Sequence, residues 1–372
     1  MKSIRRFLLA SFLAAAVLLP VTASAQTPLP PGCEFRPSLT TKALMLICVP
    51  TVGWNGELVV LAPGYVPVNR SLGFYYLALP NGTPLPQLVM GLGYAFATTT
   101  YRQNGLAVLE GLDDVREVIG AVPGAVKVHV AGVSEGGLVA TLLAERFPGR
   151  IDSTLAACGP IGSFRAQIDS FGDFRVLFDY FFPGVIPGTA INIPDDVITR
   201  WESDYAPAIL TELALKPGRA AELIRVSRAA VDPADPSTVG KTVINMLSRN
   251  VLGTNDAVKK LGGNPFGNRF RLYFGSTNDF RLNLQVQRFT ASPIARAALD
   301  PYETNGNLSI PLVSLHTTGD EVIPFWHELL YLPKVDLSAR GRFLPIPVVR
   351  YGHCNFTANE VLAAFGLAVQ QP

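Results

Sequence analysis

In the first part of the chain, short apolar runs alternate with stretches of helical period. Residues 42–50 and 57–62 read as strands joined by the turn Gly53-Trp54-Asn55-Gly56, and residues 94–100 as a third strand. Residues 106–122 then carry Leu109, Leu112, Val115 and Ile119 on one stripe, the spacing of an amphipathic helix. Residues 127–133 form a compact apolar strand, residues 137–147 a helix closed by Pro148-Gly149, and residues 153–157 the next strand. Strands that alternate with helices predict a mostly parallel sheet with helices on both faces.

That rhythm stops near Gly159 and returns only after Asn307. A structureless loop of that length does not belong in a compact domain, and helical patterns fill it instead. Residues 195–215 start after Pro194, residues 217–231 align Ala220, Leu223, Ile224, Ala230 and Val231, and a third run ends at Gly262-Gly263. Residues 159–307 are therefore read as a helical cap inserted into a body made of residues 26–158 and 308–372. The sheet resumes at residues 310–316 and 344–350. A closing helix, residues 357–369, opens with Thr357 and Glu360 spaced as a capping box.

The N-terminus carries a different pattern. Lys2, Arg5 and Arg6 precede an apolar run, residues 7–19, broken only by Ser11 and too short to span a bilayer. Ala23-Ser24-Ala25 is a small-x-small cleavage site, so residues 1–25 read as a signal peptide and Gln26 as the mature start. The expected location is extracellular or periplasmic, with no stable membrane anchor after cleavage. Losing three positive charges turns the formal +2 into −1, a balance that argues against nucleic acid as a partner, because phosphate binding needs clustered Lys and Arg. There is no His-Glu-x-x-His, no paired Cys-x-x-Cys, no acidic Ca loop and no Gly-rich phosphate cradle, so neither metal nor cofactor is expected.

The chemistry centres on Gly132-Val133-Ser134-Glu135-Gly136-Gly137, which falls between a strand and a helix. A serine on such a sharp turn presents its Oγ as a nucleophile, provided small neighbours relieve the crowding. It needs a base, and the base an acid to orient it. The order serine, acid, histidine points to Asp320, in the loop after strand 310–316; Glu321 is its rival there, with a solvated loop charge as its simpler reading. Of four histidines, His129 lies within the nucleophile's own strand and His316 within the strand before the acid. His327 sits on a helical stretch, and only His353, after the last strand, fits both order and location. Two backbone N–H groups should hold the oxyanion: that of Glu135, at a helix N-terminus, and that of Tyr65, after the turn Pro63-Gly64. The Glu135 side chain itself reads as solvated.

These motifs resemble the α/β-hydrolase superfamily, particularly its secreted, capped esterases and lipases, over residues 40–158 and 308–370. The cap resembles no family. The resemblance implies an α/β-hydrolase fold and hydrolysis of a small-molecule or polymeric carboxylic ester through an acyl-enzyme. One departure is Pro63-Gly64, where many lipases of the superfamily carry His-Gly. The alternative is a serine peptidase or aminopeptidase, because the same triad cleaves amides; Asp169, Asp173 and Asp179 would then hold a free amine, or else are solvated helix charges. A third reading, a catalytically dead binding protein, is opposed by the complete triad.

Two further features stay open. Phe171, Phe174, Phe178 and Phe181 recur at helical spacing, either packing the cap onto the body or walling an acyl pocket through Phe174 and Phe178. Four cysteines in an oxidising compartment allow two disulfides. Cys33–Cys48 would close a hairpin-like loop, and Cys158–Cys354 would join two points on the catalytic edge. Sequence alone leaves three connectivities, and buried free thiols are the other reading.

Overall fold

The computed structural model describes residues 29–370; the leader read at residues 1–25 lies outside them. In chain order the body supplies β1 (Cys33–Pro37), β2 (Leu44–Cys48), β3 (Glu57–Ala62), α1 (Leu85–Gly91), β4 (Ala95–Thr99), α2 (Val108–Gly120), β5 (Lys127–Val133), α3 (Glu135–Arg146) and β6 (Ser153–Ala157). The long insertion holds α4 (Phe164–Phe181), α5 (Asp195–Thr199), α6 (Ala206–Leu215), α7 (Pro217–Ser227), α8 (Thr238–Lys260), α9 (Asp279–Gln285) and α10 (Pro293–Ala298). The body then closes with β7 (Leu312–Gly319), α11 (Trp326–Tyr331), β8 (Phe343–Tyr351) and α12 (Ala358–Gln370).

The strands form one eight-stranded sheet in the order β1-β2-β4-β3-β5-β6-β7-β8. β2 pairs antiparallel with β1 and β4, and every pair from β4 through β3 to β8 is parallel. This is the α/β-hydrolase arrangement. The strands that read as joined by the Gly53–Gly56 turn are not partners, because β4 lies between β2 and β3. Parallel strands buried on both faces lose the in-and-out burial pattern: every residue of β6 is buried, Ser153 and Thr154 included, and β5 is buried through Val128, His129 and Val130 without alternation. The predicted stripe of α2 packs as expected, with Leu112, Val115 and Ile119 in the body's core.

The insertion is helical but differs in detail from the expected pattern. Residues 195–215 are not one helix: a π-helical turn, Trp201–Tyr205, separates α5 from α6. Pro207, near the start of α6, has no N–H for a ladder continuing from α5. Helices α4 to α8 share an apolar core with Phe174, Leu223 and Leu247 at its centre, apart from the core under the sheet. From α10 onward the chain returns to the body, where Ala295, Leu299 and Tyr302 join the sheet's own core.

Candidate active site

Ser134 follows β5 directly and occupies the position before the first residue of α3, at φ 56°, ψ −121°. A residue with a Cβ pays steric strain at positive φ, and such strain persists only where surroundings over-determine it. Here the Ser134 N–H donates to Ala157 O at 2.8 Å and Gly137 N–H donates to Ser134 O at 2.8 Å. The flanking glycines are needed for close approach. A Cβ on Gly132 would lie 1.9 Å from Gly136 O, and one on Gly136 would lie 2.1 Å from Ala62 O.

His353 reaches this serine from the loop after β8, and Asp320 reaches the histidine from the loop after β7. His353 Nε2 is 2.9 Å from Ser134 Oγ, and Nδ1 is 2.8 Å from Asp320 Oδ2. All three lie past the carboxyl ends of parallel strands. The two loops are tied together: Gly352 N–H donates to Gly319 O at 3.0 Å, and Thr317 Oγ1 donates to Gly352 O at 2.7 Å. Behind His353, the Arg350 guanidinium bonds both carboxylate oxygens of Glu360, the residue that completes the capping box of α12 with Thr357.

Asp320 is almost wholly buried, and burial alone would raise its pKa. The neighbouring His353, and hydrogen bonds from His316 and His353, outweigh that and hold the carboxyl well below its ordinary range. Its Oδ1 also accepts from the N–H groups of Val322 and Ile323, at 2.9 and 2.8 Å. Glu321, the rival acid, does not reach His353. It is buried rather than solvated, and its Oε1 accepts from Asn245 Nδ2 at 2.7 Å.

The other histidines are structural, each through different partners. His129 lies between Ser153 Oγ at 2.8 Å and Glu57 Oε2 at 3.0 Å. His316 steadies the acid's loop, bonding Ile323 O at 2.8 Å and Glu328 Oε1 at 2.9 Å. Burial opposes its charge, but hydrogen bonds to Asp320 and Glu328 prevail and push its pKa up to about 10, so it is an imidazolium at neutral pH. His327 is buried, and burial together with the His316 charge keeps it neutral. Its Nδ1 accepts from Gly162 N–H at 3.0 Å. Glu328 escaped the sequence reading: nothing in the spacing Glu328–His316 reveals that a helix returns it beneath β7.

Two backbone segments meet beside Ser134, the start of α3 and the Pro63-Gly64-Tyr65 loop. Glu135 is the first residue of α3, where a helix leaves its N–H groups without internal partners. The Pro63-Gly64-Tyr65 loop lies against the nucleophile turn, close enough that a Cβ on Gly64 would be 3.1 Å from Val133 O and 3.4 Å from Ser134 Cβ. Tyr101 Oη donates to Pro63 O and Tyr76 Oη to Tyr65 O, each at 3.1 Å, which fixes the loop. The Glu135 side chain is buried, not solvated, and accepts from Ala107 N–H at 3.0 Å. Burial pushes its pKa up to about 8, against the opposing pull of that N–H and of Lys260.

A cavity of about 120 Å³ opens on Ser134, walled by Phe164, Ile168, Phe171, Phe266, Val322 and Ile323, with Tyr65 and Arg249 among its polar groups. The wall uses Phe171, not Phe174 or Phe178. Phe178 is buried in the cap's core and stacks on Phe182, while Phe174 faces that core and the edge of a second cavity. Helical spacing could not separate them, because Phe171, Phe174 and Phe178 share one stripe of α4, which meets the cavity at Phe171 and enters the cap's core at the other two. The three acids considered for a free amine are not solvated charges. Asp169 pairs with Arg271 and Arg296, each at 3.1 Å; Asp173 pairs with Arg271 and accepts from Tyr273 Oη at 2.7 Å; Asp179 pairs with Arg175 at 2.8 Å.

Both expected disulfides are present, Cys33–Cys48 and Cys158–Cys354. The first joins facing residues of β1 and β2. The second links the residue after β6 to the residue after His353, across a Cα–Cα distance of 5.4 Å.

No protein-family model matches the sequence, and no curated protein matches it. Solved structures do show similarity. Acylaminoacyl peptidase from Pyrococcus horikoshii shares 13% identity over 86% of this chain and 37% of its own, with a TM-score of 0.43. Feruloyl esterase B from Aspergillus oryzae shares 16% over 86% of this chain and 72% of its own, at 0.46. Monoacylglycerol lipase from Paleococcus ferrophilus shares 14% over 91% of this chain and all of its own, at 0.43. The chain thus spans less than half the length of the acylaminoacyl peptidase.

Proposed function

We propose that this chain, an α/β-hydrolase by fold, is a secreted serine esterase working through an acyl-enzyme on Ser134. What supports the reading is the unbroken hydrogen-bond chain from Asp320 through His353 to Ser134 Oγ, at 2.8 and 2.9 Å, at the mouth of an apolar cavity. In this reading Ser134 Oγ attacks the ester carbonyl carbon while His353 Nε2 takes its proton. Asp320 keeps Nδ1–H engaged and stabilises the imidazolium that forms. The oxyanion is held by the N–H groups of Glu135 and Tyr65. The imidazolium then protonates the departing alkoxide, and water attacks the acyl-enzyme with His353 again as base.

The ester reading is preferred to an aminopeptidase because Asp169, Asp173 and Asp179, the acids suited to a free amine, are engaged by arginines. Secretion is supported by the N-terminal leader pattern and by the two disulfides. No helix among the described residues is long and apolar enough to cross a membrane. The test is a fluorophosphonate label together with nitrophenyl esters of graded chain length and aminoacyl anilides. Wild type should be labelled and should cleave esters in preference to anilides, and Ser134→Ala should lose both label and turnover. Undiminished labelling of that variant would refute Ser134 as nucleophile, and preferential anilide cleavage would favour the peptidase.

A further inference from the structure

One stretch of the cap is built inside out. Along residues 270–274, Phe270, Leu272 and Phe274 are 88%, 63% and 58% exposed, while Arg271 and Tyr273 between them turn inward. Arg271 is held there by Asp169 and Asp173, and Tyr273 Oη by Asp173 and Asn268. The pattern continues into α9. Phe280 and Leu284 stand one turn apart on that helix, 77% and 69% exposed, with Leu282 buried between them. Two bonds lash the extended row to the helix: Tyr273 N–H donates to Asn283 Oδ1 at 2.9 Å and Asn283 Nδ2 to Tyr273 O at 2.7 Å.

A folded chain normally hides large apolar groups and leaves polar ones in water; a dense exposed apolar set on a well-fixed scaffold marks an interaction surface. The charge around it selects the partner. Residues 264–299 contain five arginines and a single acid, Asp279. That acid is spent on its own turn, accepting from Gly275 and Ser276 N–H. Among the described residues, neither Arg269 nor Arg281 has a carboxylate partner: Arg269 stands over the Phe270 ring, and Arg281 bonds Gln285. A second copy of the same face would bring like charges together. Arg271 and Arg296 are paired with Asp169 and Asp173, and Arg288 bonds backbone carbonyls, so Arg269 and Arg281 are the cations that flank the apolar side chains. That combination suits instead an anionic lipid surface, in which the apolar groups enter the headgroup boundary while the two guanidinium groups meet phosphates.

We infer that the Phe270–Phe274 row and the exposed face of α9 dock the protein on an anionic lipid surface. The same segment begins on the wall of the catalytic cavity, at Asn264, Pro265 and Phe266, so a docked surface lies beside that wall. Docking requires no turnover, and its test is read separately from the chemistry of Ser134.

The mature chain is sedimented with vesicles of phosphatidylcholine alone and of phosphatidylcholine mixed with phosphatidylglycerol. Wild type should bind the mixed vesicles at least about tenfold more tightly than the neutral ones, and added salt should narrow that gap. Phe270→Ser combined with Phe280→Ser should weaken binding to the mixed vesicles about tenfold or more. Arg269→Gln with Arg281→Gln should remove most of the preference for the anionic lipid. Val349→Ser, an exposed apolar position on β8, should leave binding unchanged. Hydrolysis of a soluble short-chain ester should be the same in all four proteins. Failure of wild type to bind mixed vesicles, or equal binding by the Phe pair, would overturn the inference. So would a dimer in solution that the Phe pair converts to monomer, because the face would then serve a second copy.

Discussion

Around Ser134, the body and the cap contribute in different ways. The body supplies the proposed nucleophile, base and acid, each just past the carboxyl end of a parallel strand and fixed by bonds between neighbouring segments, such as Gly352 N–H to Gly319 O. The cap supplies side chains alone: Ile168 and Phe171 from α4, Arg249 from α8, Phe266 from the loop after it. Backbone ladders hold the first set in place; packing within a separate apolar core holds the second. The difference teaches that reactivity and selectivity should fail independently, because different forces position them.

The sharpest break compares two histidines in the body. His353→Ala should lower kcat by about three or more orders of magnitude, since triad members act as a unit, with little change in melting temperature. His327→Ala should do the reverse. It removes the buried acceptor of the Gly162 N–H, costing about 1–3 kcal/mol of stability, while most turnover survives. Kinetics beside thermal melts decide it, and a His327→Ala protein that is folded but inert would undo the distinction.

Within the cap, the same contrast separates two levels of one stripe along α4, Phe171 beside the cavity and Phe178 two turns on in the cap's core. Phe178→Ala should cost about 3–5 kcal/mol, as expected for emptying a buried aromatic site, and leave the chain-length profile of ester cleavage unchanged in shape. Phe171→Ala, on the cavity wall, should cost much less and shift the profile toward longer acyl groups. Denaturant midpoints and kcat/KM across the ester series measure both.

The Cys158–Cys354 bridge joins the base's loop to β6, so it tests whether the body's geometry rests on strand pairing alone. Cys158→Ser with Cys354→Ser should lower stability by about 2–4 kcal/mol and reduce kcat several-fold, as the His353 loop loses one of its tethers. An unchanged kcat in a destabilised protein would assign the bridge to stability only.

The smallest expected effect is on pH. In the folded chain the Glu135 carboxyl titrates at about 8 rather than 4.5. The folded state therefore holds a proton that the unfolded state has released between those values. Its contribution to stability is full below about 4.5 and is lost as pH rises through about 8. Above that, a negative charge stands beside the developing oxyanion, so kcat should fall a few-fold. Glu135→Gln keeps the acceptor for Ala107 N–H and should abolish that alkaline fall. An identical pH–rate profile in the variant would remove Glu135 from the account.

Much of the body was legible because parallel strands and their helices carry local periods: β5 and β6 begin and end where the apolar runs do. Chain order and strand ends were enough to propose Ser134, Asp320 and His353, which the fold brings within hydrogen-bond reach of one another, whereas the cysteines stayed open among three connectivities until the fold joined Cys33 to Cys48 and Cys158 to Cys354. What local pattern could not reach was anything set by distant chain. Glu135 and Glu321 look like surface charges in the sequence, yet packing buries both, and each finds a hydrogen-bond donor from distant chain, Ala107 N–H for one and Asn245 Nδ2 for the other. Asp169 and Asp173 find their arginine about a hundred residues away, at Arg271. Whether Phe174 and Phe178 wall the pocket was undecidable for the same reason. Helical period shows that they share a stripe with Phe171, but only the packing of α7 and α8 against α4 determines where along that stripe core gives way to cavity wall.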